Sequence, residues 1–155
     1  MMKTLLIVTA ISLFAAAGSA QDKALTEKNI RRAYDFLNNR DFENFSVMIS
    51  QNMIEHSPFP GQRQGLQGMK EAFEMFFGAF PDLRFEVKDV LVSDDLSSAS
   101  VLVRLTGTNT GEWMGMKPAN RPIDIMGIDW LIFSDGKVSE HYGYMDTDKM
   151  AQQLG

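Results

Sequence analysis

The stretch that decides the fold runs Ile123-Asp-Ile-Met-Gly-Ile-Asp-Trp-Leu-Ile-Phe133, then Ser134-Asp-Gly-Lys137, then Val138-Ser-Glu-His-Tyr-Gly-Tyr-Met145. Two extended segments flank a short polar turn, and Gly136 supplies the positive φ that a hairpin requires. The first segment is apolar on both faces, so both must be covered. A helical layer can cover one face. A pocket, a partner subunit or both must cover the other, and a dimer is expected on this ground.

Register across this hairpin decides what lies beside Asp129. A two-residue Asp135-Gly136 turn places Asp129 opposite Tyr142. A three-residue Ser134-Asp135-Gly136 turn with a bulge places it opposite His141, and Ser-Asp-Gly suits a type I turn ending in a left-handed glycine, which favours the second.

Working backward, period-two alternation continues through Ala99, Val101, Val103 and Leu105, and through Leu83, Phe85 and Val87. There the phase slips at Asp89 before Val90 and Val92, as a β-bulge would produce. The preceding half reads as helix. Ile30, Ala33, Tyr34 and Leu37 form one stripe, which Asn38 and Asn39 end. Asp41 can cap a second helix carrying Phe42, Phe45 and Ile49. Leu66, Met69, Phe73, Phe76, Phe77 and Phe80 form a third stripe, closed by Pro81. Helices followed by an antiparallel meander predict an α+β fold with helices packed on one face of a curved sheet.

The first twenty residues read as a signal peptide: Lys3, an apolar run from Leu5 to Ala17, and small residues Gly18 and Ala20 before the cut. The run is too short to span a bilayer stably. Residues 21–155 then form one domain in an exported protein, periplasmic or secreted and bacterial, with no membrane contact after cleavage. Cysteine is absent from all 155 residues, which excludes disulfides, thiolate metal sites and a cysteine nucleophile. The formal net charge of −5 becomes one unit more negative once Lys3 is removed, and such a domain does not attract nucleic acid. Eleven Met and eleven Phe suit a core wrapped around an apolar ligand, and an ordinary core equally.

Asp129 is the strongest candidate for chemistry. It shares a strand face with Ile123, Ile125, Leu131 and Phe133, where a carboxylate is costly to bury. Either backbone amides satisfy it, or it serves as a general acid/base. The dipeptides Glu55-His56 and Glu140-His141 suggest a metal site at first sight. Neighbours in a strand point to opposite sides, however, and neither pair has helical ligand spacing, so no metal is expected. His56 beside a proline-rich turn is a pocket residue or a loop-stabilising donor. The glycine-punctuated run Gly107-Thr-Asn-Thr-Gly-Glu-Trp-Met-Gly115 lacks the helix of a phosphate loop and reads as a curved segment at a pocket mouth.

That run, with Arg121-Pro-Ile, Gly127-Ile-Asp129, Asp135-Gly-Lys-Val-Ser-Glu-His141 and Asp146, resembles the SnoaL-like polyketide cyclase family. Glu55-His-Ser-Pro58, Gly65 to Lys70 and Ala79-Phe-Pro-Asp-Leu-Arg-Phe85 resemble the family's first half. The resemblance implies the nuclear-transport-factor-2-like cone, commonly dimeric. It also implies ring closure by intramolecular aldol condensation with one aspartate as acid/base and no cofactor, and Asp129 matches that aspartate's setting. Cyclases of this family place a polar group, including a histidine, beside it from the preceding strand. Here no histidine lies between His56 and His141, which leaves Asn109, Glu112 or His141 for that place.

The expected function is therefore an exported protein binding a hydrophobic carbonyl-bearing molecule, with Asp129 and His141 catalytic. His56, Phe59, Asn109, Trp113, Met126 and Tyr142 are its candidate ligand contacts. The alternative is a non-catalytic periplasmic binding protein.

Overall fold

In the computed structural model the backbone is described for residues 2–155 and side chains for residues 20–155; the expected signal peptide, up to Ser19, lies outside the described side chains. Helix α1 (Met2–Asn38) leads to a short α2 (Phe42–Val47), strand β1 (Ile49–Glu55) and α3 (Gly65–Ala79). Strands β2 (Arg84–Val92), β3 (Ser98–Thr108), β4 (Pro122–Ser134) and β5 (Lys137–Met145) follow, and α4 (Thr147–Leu154) ends the chain. The sheet order is β1-β5-β4-β3-β2, antiparallel except for the β1–β5 pair. The result is an α+β fold with helices on one face of a curved, unclosed sheet.

The helical stripes do what their spacing predicts. Ile30, Tyr34 and Leu37 bury one face of α1, and Leu66, Met69 and Phe76 bury one face of α3. Asp41 caps α2 by accepting the Asn44 N–H at 3.1 Å. Asn38, where α1 ends, bonds both backbone groups of Phe85 at 2.8 Å and so covers part of the free edge of β2. The slip at Asp89 is a bulge: Val87 faces Val103, and Asp89 faces Leu102.

Two expectations need correction. Ile49 does not continue the second helix; Ile49–Glu55 is an edge strand that joins the sheet by running parallel to β5. Ile49 follows Phe42 and Phe45 at helical spacing, and only pairing with β5 makes it the start of a strand. The hairpin register also differs from both alternatives. Asp135 (φ 51°) and Gly136 (φ 72°) form a two-residue turn, with both central residues left-handed as type I′ demands. Phe133 faces Val138, but a bulge at Ser139 then shifts the pairing. Beyond it Leu131 faces His141, and Asp129 faces Gly143.

Along β4 the odd residues Ile123, Ile125, Gly127, Asp129 and Leu131 face the helices, and Met126, Ile128 and Trp130 face away. Between sheet and helices lies a cavity of about 1090 Å3 that opens to solvent, walled by Leu37, Phe59, Phe73, Phe76, Phe85 and Leu131 among others. That volume is at the upper end of small-molecule sites. No helix among the described residues is long and apolar enough to cross a membrane.

Candidate active site

The polar end of the cavity is built where β1, β5 and β4 lie side by side. Because β1 runs parallel to β5 with Glu55 opposite His141, the two Glu-His dipeptides lie next to each other. Successive strand residues point to opposite faces. One Glu-His pair therefore forms inside and one outside. Inside, His141 Nδ1 lies 2.6 Å from Glu55 Oε2; outside, His56 Nε2 lies 2.7 Å from Glu140 Oε2.

The inner pair extends into a chain of hydrogen bonds. His141 Nε2 is 3.2 Å from Asp129 Oδ1, and the Tyr34 hydroxyl of α1 donates to Asp129 Oδ2. Glu55 Oε1 accepts the Ser57 N–H at 2.9 Å, and the Gln64 amide bonds the Glu55 backbone on both sides, holding the strand end. Asp129 and His141 remain partly open to the cavity, whereas Glu55 is nearly sealed.

His141 reaches Asp129 although the two are not register partners. The residue opposite Asp129 is Gly143, and a Cβ there would lie 2.9 Å from His141 Cε1 and 3.5 Å from Asp129 Oδ1. The imidazole leans over the vacant side-chain position. The Ser139 bulge is equally necessary. Without the extra residue, strict alternation from Val138 would turn Glu140 and Tyr142 inward.

Burial alone would lower the imidazole's pKa, but hydrogen bonds to Asp129 and Glu55, with their charges, outweigh it and push His141 up to about 10. The site therefore holds an imidazolium between two carboxylates at neutral pH. Burial, and then the Asp129 carboxylate, push the Tyr34 hydroxyl well above its ordinary value, so it stays a donor.

Of the residues expected from sequence, Asp129, His141 and Phe59 line the cavity. Five do not. His56 and Tyr142 lie on the outer face, stacked at 4.0 Å, with Trp130 stacked on Tyr142 at 5.0 Å. Met126 also faces outward. Trp113 is buried one layer behind the wall, against Phe59 and Phe76. Asn109 is buried as a loop clamp: its side chain bonds the Ala79 and Gly111 carbonyls and the Ala119 N–H. Of the three substitutes for the histidine of the preceding strand, geometry selects His141; Glu112 is exposed.

Tyr34 and Glu55 were missed. A tyrosine in an apolar helical stripe must find a partner for its hydroxyl, which was a usable signal. Glu55 stood out in the Glu55-His56 dipeptide, but its place beside His141 followed only once β1 was known to pair with β5. No group of three or more His, Asp or Glu among the described residues is arranged to hold a metal ion.

The profile of SnoaL-like polyketide cyclases matches residues 28–154. The chain belongs to the SnoaL-like polyketide cyclase family. Among solved structures it is similar to TsrD from Streptomyces laurentii, at 21% identity and TM-score 0.75 over 84% of this chain and 95% of that one. It is similar to a SnoaL-like polyketide cyclase from Agrobacterium tumefaciens, at 21% identity and TM-score 0.71 over 84% and 98%. A Bacillus cereus protein is 28% identical, with TM-score 0.66 over 79% of this chain and 74% of that one. A comparison with curated proteins finds no match.

The ion triad makes a signed prediction. The raised His141 pKa stabilises the fold fully below about 6.5, the ordinary value, and that stabilisation disappears as pH rises through about 10. The difference in unfolding midpoint between the native chain and a His141→Gln variant should be constant to pH 6.5 and shrink above it. Gly143→Ala, which pushes the imidazole off Asp129, should flatten the same profile; a variant as pH-dependent as the native chain would refute this geometry.

Proposed function

We propose that the cavity binds a hydrophobic, carbonyl-bearing small molecule and that Asp129 acts on it as general acid/base without a cofactor. Family membership supports small-molecule binding or cyclase activity. The observation that carries the finer reading is a carboxylate at the polar end of a largely apolar cavity, with two donors behind it and a face open to the cavity. Each carboxylate oxygen has two acceptor positions, so the hydrogen bonds to Tyr34 and His141 leave capacity for a substrate.

In an aldol-type ring closure, Asp129 would take a proton from the carbon next to a substrate carbonyl. The resulting enolate carbon would attack a second carbonyl carbon of the same molecule, forming the ring bond. The alkoxide left on that oxygen would recover the proton from Asp129, so the product is an isomer of the substrate. His141 and Tyr34 orient the carboxylate, and the His141 imidazolium compensates its charge. A second reading rests on the same hydrogen bonds: both Asp129 oxygens are already engaged, which suits a polar anchor in a non-catalytic binding protein. Asp129→Asn separates the two. Under the catalytic reading it lowers kcat by about 10^2- to 10^4-fold with ligand affinity nearly kept; under the binding reading affinity changes and no turnover is found in the native chain either.

We also propose a homodimer through the outer sheet face. Leu102, Ile128 and Tyr144 form one cross-strand row and Trp130 with Tyr142 the next; Ile128 is 47% and Trp130 44% exposed. Contiguous apolar exposure of this kind fits a self-complementary interface. Light scattering should show a dimer that Ile128→Glu converts to a folded monomer; a monomeric native chain would refute it.

The third proposal is export with cleavage after Ala20, leaving an extracytoplasmic protein, periplasmic or secreted. Its support is the sequence alone. Mass spectrometry of material recovered outside the cytoplasm should find Gln21 as the first residue, and an intact Met1 N-terminus in the cytoplasm would overturn it.

A further inference from the structure

The charges around the cavity are strongly one-sided. Glu55, Asp95, Asp129 and Asp135 line it, and no Lys or Arg among the described residues does. Among the described residues the one cationic group on its wall is His141, and both ring nitrogens already face protein carboxylates. It has no free N–H to offer a ligand anion. Asp95, at the mouth, is held by Ser93 and Ser97 rather than by a base. Nearby Lys23 is bound to Asp94, and Lys137 lies just beyond the Asp135-Gly136 turn, outside the lining.

A ligand carboxylate or phosphate entering this space would lose water, meet no cation and approach Asp129. An ammonium would meet the opposite situation. The part of the Asp129 carboxylate open to the cavity offers a charge-assisted hydrogen bond, and the two acidic groups at the mouth favour its approach. We propose that the cavity selects by charge: it takes apolar molecules bearing a basic amine in preference to neutral ones, and it rejects acids and phosphate-bearing conjugates. This rests on the reading of the cavity as a small-molecule site, but neither on catalysis nor on a particular reaction.

Three probes of one shape test it on the full-length protein at pH 7 and low salt: 2-naphthylmethylamine, methyl 2-naphthoate and 2-naphthoate. Titration followed by naphthyl fluorescence should give an order of affinity amine, ester, acid. About ten-fold should separate the first from the last at minimum, as expected when one ligand makes a charge-assisted hydrogen bond and the other cannot. Asp129→Asn should compress that range. Because this change could disturb the packing around His141, Asp135→Asn at the exposed turn serves as the second variant, and it should weaken the amine alone by a smaller factor. Acid binding as tight as the amine overturns charge selection and leaves the small-molecule site standing. Failure of all three probes to bind overturns the cavity reading and this proposal with it.

Discussion

His141 sits between two carboxylates, and much of the structure is arranged around that pairing. Its imidazole joins the inner faces of three adjacent strands, with Glu55 on β1, His141 on β5 and Asp129 on β4. A buried carboxylate pair without the intervening cation would repel itself in a poorly solvated space, and either partner alone would be an uncompensated charge. The same pairing helps fasten β1, an edge strand whose parallel ladder is interrupted between Ile49 and Ile54. Two backbone adjustments make it possible. The Ser139 bulge turns His141 inward, and Gly143 leaves the space into which the ring leans.

The cavity follows from how the helices are supported. Aromatic side chains of α3 and β2, with Phe73 edge-on to Phe85 at 5.9 Å, stiffen one wall without filling the centre. Trp113 braces Phe59 and Phe76 from behind, and the Asn109 clamp fixes the loop that carries it. Trp113 and Asn109, expected at the ligand, thus act one layer away from it, while His56, Met126 and Tyr142 lie on the opposite face of the sheet. Tyr34 links the helical layer to the polar end, so that α1, β4 and β5 all contribute to the position of one carboxylate.

Legibility was uneven along the chain, for identifiable reasons. Stripes such as Ile30-Tyr34-Leu37 and the alternation through Val101, Val103 and Leu105 repeat often enough to determine both element and buried face. The motif-by-motif resemblance from Glu55 to Asp146 reached the family and its cone. Asp129 was legible because a lone carboxylate in an apolar row has few explanations. The strand Ile49–Glu55 was not legible, since an edge strand depends on a partner far along the chain, and Glu55 was lost with it.

By itself, then, the sequence determined the three N-terminal helical stripes and the antiparallel meander β2 to β5, the acidic balance and the candidacy of Asp129, because all of these depend on residue type and local period; β1 and α4 were not among them. The tertiary structure alone decided the company that Asp129 keeps. A turn of two residues and a bulge of one set which side of β5 faces inward. Which of the two Glu-His dipeptides contributes its Glu and which its His follows from that choice, because parallel pairing of β1 with β5 joins distant segments that no local pattern encodes.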